Sequence, residues 1–314
     1  MCLVSHAEPM RPGCSRSKRE HPAYDGHVPP FSGPAIVCPV CTGDLTLERA
    51  ARPDSTDDGA PRLLRCEQGH RFDAARQGYF NLLTGRGTVF EADTAAMVQA
   101  RIDFLGRGHY RPLADAVCAA VEDHAASHPR ILDAGAGTGY YLKSVMEHTS
   151  SPGAVAIDIS KFALRRAARE LAGTVCLVWD VWRPLPLADA SVDVLLNIFA
   201  PRNPDEFART VAPGGLVVVV TPLPNHLEQV AESAGLLGIP PDKSRDVAQS
   251  LAENFTEVAS TQVEYTMLLS ALDITNVAAM GPAGHHGLRP ETVDGPAETT
   301  VTAAFTVQGF RRRT

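Results

Sequence analysis

The sequence predicts an α/β protein in which a parallel-type, doubly wound sheet is preceded by a small metal-binding module. Three observations predict it. After Pro129, short apolar runs alternate with stretches of helical periodicity, the pattern that parallel crossover units leave in a sequence. The first of those runs leads into a glycine loop, Asp133-Ala-Gly135-Ala-Gly137-Thr138-Gly139, which opens a helix. Upstream, Cys38-Pro-Val-Cys41 and Cys66-Glu-Gln-Gly-His70 form two short-spaced pairs of thiol and imidazole groups, the donor types that zinc takes.

The chain divides into four parts. Residues 1–35 are polar, rich in Pro, Gly and His, and lack the apolar core of a signal peptide; they read as a disordered extension. Residues 36–84 hold the Cys/His module. Residues 85–128 read as a helical connector, with Met97, Val98, Phe104 and Leu105 near helical spacing and a second helix over Pro112 to His124. Residues 129–314 form the α/β domain. Its first strand is Ile131 to Asp133, followed by a helix over Gly139 to Glu147. Val155 to Asp158 is the second strand, and Ser160 is placed to cap a helix that runs to Leu171. Val175 to Trp179 and Val192 to Ile198 are the third and fourth strands, and Pro204 to Val211 is a short helix. Gly215 to Val220 is apolar after its glycine and therefore buried on both faces. A helix is expected over residues 226–237. Strands near Val258–Leu268 and Thr300–Gln308 flank a helix over Ala271 to Met280.

Composition narrows the function classes. With 44% hydrophobic residues a core can form, yet no apolar run nears the length of a membrane span, about 18 residues. Seven cysteines without a leader point to a metal site in a reducing, cytoplasmic setting rather than to disulfides. The net charge of −7 is the wrong sign for a nucleic-acid binder as a whole. Locally the balance reverses: Arg62, Arg65, Arg71, Arg76 and Arg86 face only Glu67 and Asp73 between Pro61 and Gly87. Arg101, Arg107, Arg111 and Arg311 to Arg313 follow. A basic face on an acidic protein is one reading, and solvated arginines without a partner are the other.

The glycine loop carries the strongest chemical signal. Its spacing is G-x-G-x-G, whereas the dinucleotide fingerprint is G-x-G-x-x-G with a pyrophosphate on the helix N-terminus. S-adenosylmethionine has no phosphate; it has a cationic sulfonium and an amino-acid end, which Asp133 suits. Asp158 ends the second strand, where ribose-binding carboxylates sit in such folds. Asp180 ends the third strand, within reach of an adenine amino group. A nucleotide-sugar enzyme, an NAD enzyme and a noncatalytic relic are the alternatives at this point. In the front module, Cys38, Cys41, Cys66 and His70 supply four protein ligands, so the site is closed and structural. Cys118 and Cys176 read as core residues, and Cys2 and Cys14 fall in the extension.

With these residues in view, the chain from about Cys38 onward resembles the 23S rRNA (guanine-N1)-methyltransferases. The resemblance rests on both Cys/His pairs, Gly78-Tyr-Phe-Asn-Leu-Leu83, Ala96-Met-Val-Gln-Ala-Arg101 and Gly108-His-Tyr-Arg-Pro-Leu113. It continues through the glycine loop, Ala200-Pro-Arg-Asn-Pro204, Thr221-Pro222 and His226-Leu227. Asp180-Val-Trp182 and Asn197-Ile-Phe-Ala-Pro-Arg-Asn203 look most like the actinomycete branch associated with resistance to mycinosylated macrolides such as tylosin and mycinamicin. The resemblance implies a class I Rossmann-like methyltransferase and a zinc module that helps recognise a 23S hairpin loop lining the peptide exit tunnel. It implies that Tyr110, Thr138 with Gly139, and His226 contact the methyl donor, and that a homodimer cleft holds the RNA. Two departures stand out. Residues 1–35 are extra, and the Trp that relatives carry near Met280-Gly-Pro-Ala-Gly-His285, where it could shape the target pocket, is missing.

Methylation of guanine N1 requires in-line attack from roughly 3–3.5 Å, a proton acceptor and a base splayed out of its stack. Phe199 is the candidate platform for that base, with ordinary core packing as the alternative. Asn197 is a candidate positioning residue, and no side chain is assigned as the acceptor. Two other functions fit the same residues: methylation of a small natural product, and noncatalytic zinc-dependent RNA binding.

Overall fold

The computed structural model describes residues 31–49, 62–83, 85, 87–281, 284 and 298–314. Most of the expected N-terminal extension, Cys2, Cys14, Arg86 and His285 lie outside the described residues. The front module pairs β1 (Thr46–Arg49), β2 (Arg62–Arg65) and β3 (Arg71–Asp73) as a three-stranded antiparallel sheet. β4 (Phe80–Asn81) follows. α1 (Ala95–Gly106) starts at Thr94, whose side chain accepts the Met97 N–H, and buries Met97, Val98, Phe104 and Leu105. α2 (Arg111–His124) carries Pro112 in its first turn, where a missing N–H costs nothing.

The α/β domain then runs β5 (Ile131–Ala134), α3 (Tyr140–His148), β6 (Ala154–Asp158), α4 (Lys161–Glu170), β7 (Thr174–Val178) and β8 (Val192–Ile198). Ser160 caps α4 by accepting the Ala163 N–H. α5 (Pro204–Thr210), capped by Asn203, leads to β9 (Val211–Pro222). α6 (Lys243–Leu251), β10 (Phe255–Ser270), α7 (Ala271–Ala279) and β11 (Glu298–Arg312) complete the chain. α7 opens with a reciprocal cap between Ser270 and Asp273.

The strands join one sheet in the order β10-β11-β9-β8-β5-β6-β7-β4. Every pairing from β4 to β9 is parallel, and β11 is antiparallel to both β9 and β10. The doubly wound expectation therefore holds with an antiparallel far edge. β4 also makes the end of the front module the opposite edge of this sheet. Alternation sorts the strand residues. Val218 and Val220 pack on the side of Phe104, Leu142 and Leu164, while Val217 and Val219 pack on the side of Phe207 and Val247. Helices α1 to α4 and α7 thus cover one face. The opposite face is covered by α5, α6 and the front module, whose Cys38, Leu45, Leu64 and Cys66 share that core. The strand order reverses between β5 and β8, which opens a crevice at their carboxyl ends.

One expected helix is absent. Residues 226–237 hold only a single 3₁₀ turn, Glu228–Val230, amid turns. Leu227 sits at φ 58° and gives its N–H to the Thr302 carbonyl of β11. That left-handed residue blocks a right-handed helix from starting at His226. Sheet docking overrides the local propensity here. The sequence reading also lacked α6 and the strands of the front module.

Candidate functional site

Two tight turns build the metal centre. Thr42 N–H donates to the Cys38 carbonyl at 2.8 Å, and Gly69 N–H donates to the Cys66 carbonyl at 2.9 Å. The ligand atoms of Cys38, Cys41, Cys66 and His70 consequently lie within 4.8 Å of one another. Cys41 Sγ is 3.7 Å from Cys66 Sγ, and Cys66 Sγ is 3.3 Å from His70 Nδ1. Two sulfurs on a tetrahedral zinc, each about 2.3 Å from the ion, sit about 3.8 Å apart, so the donor set and its spacing fit Zn²⁺. The ion would tie the loop before β1 to the loop between β2 and β3.

The glycine loop leaves β5 at the crevice. Gly135 has φ 90°, and a Cβ there would stand 2.3 Å from the Ala200 side chain. Gly139, at φ 79°, starts α3 and would drive a Cβ to 2.6 Å from Leu171. Both positions therefore exclude a side chain, through backbone angle and crowding alike. Gly135 and Ala136 donate to the Ile157 carbonyl, and Gly137 N–H donates to Asp158 Oδ2 at 2.8 Å. Asp158 Oδ1 takes the Ser160 N–H at 2.7 Å. Each of its oxygens keeps a further lone pair.

By strand alternation, Asp133 and Asp158 project to the α1–α4 side of the sheet, and Asp180 lies two residues past the end of β7. Asp133 is buried, and desolvation together with the Asp158 charge pushes its carboxyl up to about 8. Asp158 is raised by the same burial, partly offset by its two backbone hydrogen bonds. Asp180, also buried, accepts from Thr88 Oγ1 at 2.6 Å and from Trp182 N–H at 3.0 Å. Thr138 is buried beside them in sequence.

A second group comes from the motif between α1 and α2. Tyr110 is 3% exposed and lies edge-on to Phe104 and Phe305, with ring centroids 5.0 and 5.1 Å away. Its Oη is 3.1 Å from His226 Nε2. His226 Nδ1 accepts the Ala304 N–H at 3.2 Å, and burial lowers the imidazole to about 4. The ring is therefore neutral at working pH with its proton on Nε2, so it donates to Tyr110. That leaves the Tyr110 hydroxyl proton to point at another acceptor. Burial raises the Tyr110 pKa, which keeps that proton in place. His109 Nε2 meets Asp273 Oδ1 at 3.2 Å, and the Tyr265 hydroxyl donates to the His109 carbonyl. These contacts fix the backbone that presents Tyr110.

Past β8, Phe199 is 44% exposed and adopts φ 54°, a strained conformation for an aromatic residue. Its ring faces Tyr110, Tyr141 and Phe305 at centroid distances of 6.4, 6.2 and 5.6 Å. Asn197 is fully buried, and its amide donates to the Ala134 carbonyl at 3.1 Å and the Pro201 carbonyl at 2.8 Å. It ties the glycine loop to the loop after β8. An amide oxygen is no base at neutral pH, so Asn197 can position groups but not accept a substrate proton.

Segment 87–94 was missed by sequence reasoning. It crosses the acids: Thr88 binds Asp180, Asp93 pairs with Arg101 at 2.6 Å, and the Asp93 carbonyl accepts from Ser160. No periodicity marks it, and only the sequence-distant acids it touches reveal its role. The basic face is largely absorbed as well. Arg62 donates to the Gly78 carbonyl, and Arg65, Arg71, Arg107 and Arg111 pair with Glu48, Asp73, Asp273 and Asp115. Arg311 holds the Gly214 and His124 carbonyls. Apart from Asp73, these partners are carbonyls or acids from outside the stretch counted above, which a count of its charges leaves out.

Comparison with known proteins adds to this geometry. A family model described as "RlmA, N-terminal" matches residues 36–85, and one described as "Methyltransferase domain" matches residues 131–215. The chain is 38% identical over 296 residues to a protein of Micromonospora griseorubida named for 23S rRNA (guanine-N1) methylation, covering 88% of this chain and 97% of that one. It is 39% identical over 280 residues to the 23S rRNA (guanine(748)-N(1))-methyltransferase of Streptomyces fradiae, covering 87% and 95% respectively. A Bacillus subtilis protein named for the same guanine-N1 reaction is 32% identical over 199 residues, or 61% of this chain and 70% of that one.

Proposed function

The chain belongs to the 23S rRNA (guanine-N1)-methyltransferases, and from that premise we propose that it methylates N1 of a guanine equivalent to 748 in a hairpin loop that lines the peptide exit tunnel. It is an S-adenosylmethionine-dependent methyltransferase with a zinc-binding front module. Protection of its host against mycinosylated macrolides follows from that target. The observation that carries the reading is the joining of a closed Cys₃His centre to a sheet crevice lined by the buried carboxylates of Asp133 and Asp180 and the half-buried carboxylate of Asp158.

When bound, the donor supplies an electrophilic methyl group on a sulfonium. The chain's residues do the rest. Asp133 balances the donor's positive charge once ionised. Asp158 accepts from ribose hydroxyls through its spare lone pairs, and Asp180 from the adenine amino group. Gly135, Gly137, Thr138 and Gly139 let the ligand approach the backbone. Tyr110, oriented by neutral His226, donates a hydrogen bond from its hydroxyl to the donor's carboxylate. Asn197 keeps the glycine loop and the Phe199 loop in register. Residues 36–84 recognise the RNA, residues 85–128 connect, and residues 129–314 catalyse. A homodimer in the cytoplasm completes the reading; among the described residues no helix is long and apolar enough to cross a membrane.

Phe199 supplies the stacking platform for the extruded base. Loss of one base–aromatic stack costs about 1–3 kcal/mol, so Phe199→Leu is expected to lower kcat/KM for RNA roughly tenfold or more. Phe199→Tyr retains most of the activity, and donor affinity is the same in both. Equal kcat/KM for Phe199→Leu and the wild type would remove the base from this ring. The function as a whole is tested by primer extension on 23S rRNA incubated with protein and donor. A new stop at the tunnel-lining guanine is expected, because an N1 methyl blocks base pairing; a template without a stop refutes the reading.

A further inference from the structure

Two cations stand apart from the internally paired arginines. Arg202 lies in the loop after β8, its side chain partly buried, and donates to the Ala200 carbonyl at 3.4 Å. Lys243 is the first residue of α6 and is likewise partly buried. Among the described residues neither pairs with a carboxylate. They sense each other: burial, then the Arg202 charge, lowers the Lys243 ammonium, and burial lowers Arg202. Two partly dehydrated like charges within electrostatic range of each other are unfavourable until an anion joins them.

The surroundings are polar in the way an anion site needs. By alternation from Val217 and Val219, Thr221 ends β9 on the α6 side of the sheet. Thr221 is 2% exposed, and its hydroxyl has no hydrogen-bond partner among the described residues. Its neighbour across the ladder, Thr306, accepts from Ser244 beside Lys243 at 3.2 Å. The same loop that carries Arg202 carries Phe199, and its Ala200 abuts the glycine loop. The donor's one anionic group, its carboxylate, is assigned to Tyr110 in the core on the α1–α4 side, so an anion on the α6 side belongs to the other substrate. A nucleotide whose base lies on Phe199 has its phosphate one sugar away. A guanidinium fork suits the two non-bridging oxygens of a phosphodiester, and an ammonium adds a point charge beside one of them.

We propose that Arg202 and Lys243, with the Thr221 hydroxyl, anchor the phosphodiester next to the methylated nucleotide. This rests on the RNA-substrate reading above. Arg202→Gln, Lys243→Gln and the double variant would be compared with the wild type for binding of the hairpin RNA across a series of KCl concentrations. Each lost contact should flatten the slope of log K against log salt by about 0.7 for single-stranded RNA. Affinity should fall by about tenfold or more per charge-assisted contact, with Arg202→Lys retaining part of it. Donor isotherms and Tm unchanged from the wild type show that the variants fold. A hairpin with a neutral methylphosphonate beside the target guanine should bind the wild type more weakly, yet cost the double variant nothing further. An unchanged salt slope, or a full methylphosphonate penalty in the double variant, overturns the anchor. If such variants appear alongside a wild type that methylates the hairpin, the RNA reading stands without the anchor. If the wild type leaves the hairpin unmethylated, the RNA reading fails and the anchor with it.

Discussion

Cys66→Ser is expected to yield protein that retains no stoichiometric zinc and methylates no RNA, while still binding S-adenosylmethionine. Apart from the side chains it shares with the core on that face of the sheet, the module has little of its own to hold it. β1, β2 and β3 contain four, four and three residues, and its buried apolar side chains are few. Apparent zinc binding energies of about 10–16 kcal/mol in small zinc-dependent folds exceed what such a core provides. The strand that joins the module to the central sheet should hold. Phe80 and Leu82 are fully buried in the central core, and Phe80 pairs with Leu177 of β7. The catalytic domain should therefore keep its main melting transition and its donor isotherm. Chelator treatment of the wild type should reproduce this split. Metal-free protein that still methylates RNA at the normal rate would show that the centre is dispensable.

The second large effect concerns Asp133. A carboxyl held near 8 by burial and the Asp158 charge is mostly protonated at neutral pH. A cationic ligand prefers the ionised form. Donor affinity should accordingly climb with pH, by at most tenfold per unit, and level off above about 8. Binding near neutrality should release a proton, seen as a calorimetric enthalpy that depends on the buffer. In Asp133→Asn the pH dependence should vanish and affinity drop about a hundredfold, within the 2–5 kcal/mol typical for removing one partner of a buried charge pair. Free protein follows the opposite sign. The folded pKa is raised above the unfolded value of about 3.9, so the native state binds more protons, and Asp133's contribution to stability is lost as pH rises from there through about 8. The Tm gained on adding donor should therefore be larger at pH 8 than at pH 6. An affinity that ignores pH, or an Asn variant that binds like the wild type, would place the donor's charge elsewhere.

Legibility in the sequence followed the range of the forces. Leu216–Val220 announces a doubly covered strand because both of its faces meet apolar layers, and Ser160 announces a helix because its cap is local. The glycine loop is legible because Gly135 and Gly139 answer to backbone angles that few other residues tolerate. Leu227 was not legible: its left-handed turn is imposed by Thr302, 75 residues away. β4 is two residues long and has no period to detect. The arginines looked like a basic face until their carboxylate and carbonyl partners, often remote in sequence, were in place. Asn197 and Phe199 were legible as residues near the crevice, whereas their distinct jobs depend on the carbonyls of Ala134 and Pro201 and on the ring of Tyr110.

The account stands or falls on where the methyl group goes. Purified protein, donor and a 23S transcript containing the tunnel hairpin would be incubated, and the RNA digested to nucleosides for mass spectrometry. One 1-methylguanosine per transcript is expected from the wild type and none from Asp133→Asn. Unmodified guanosine throughout, or a methyl on ribose or on another base atom, would contradict the account.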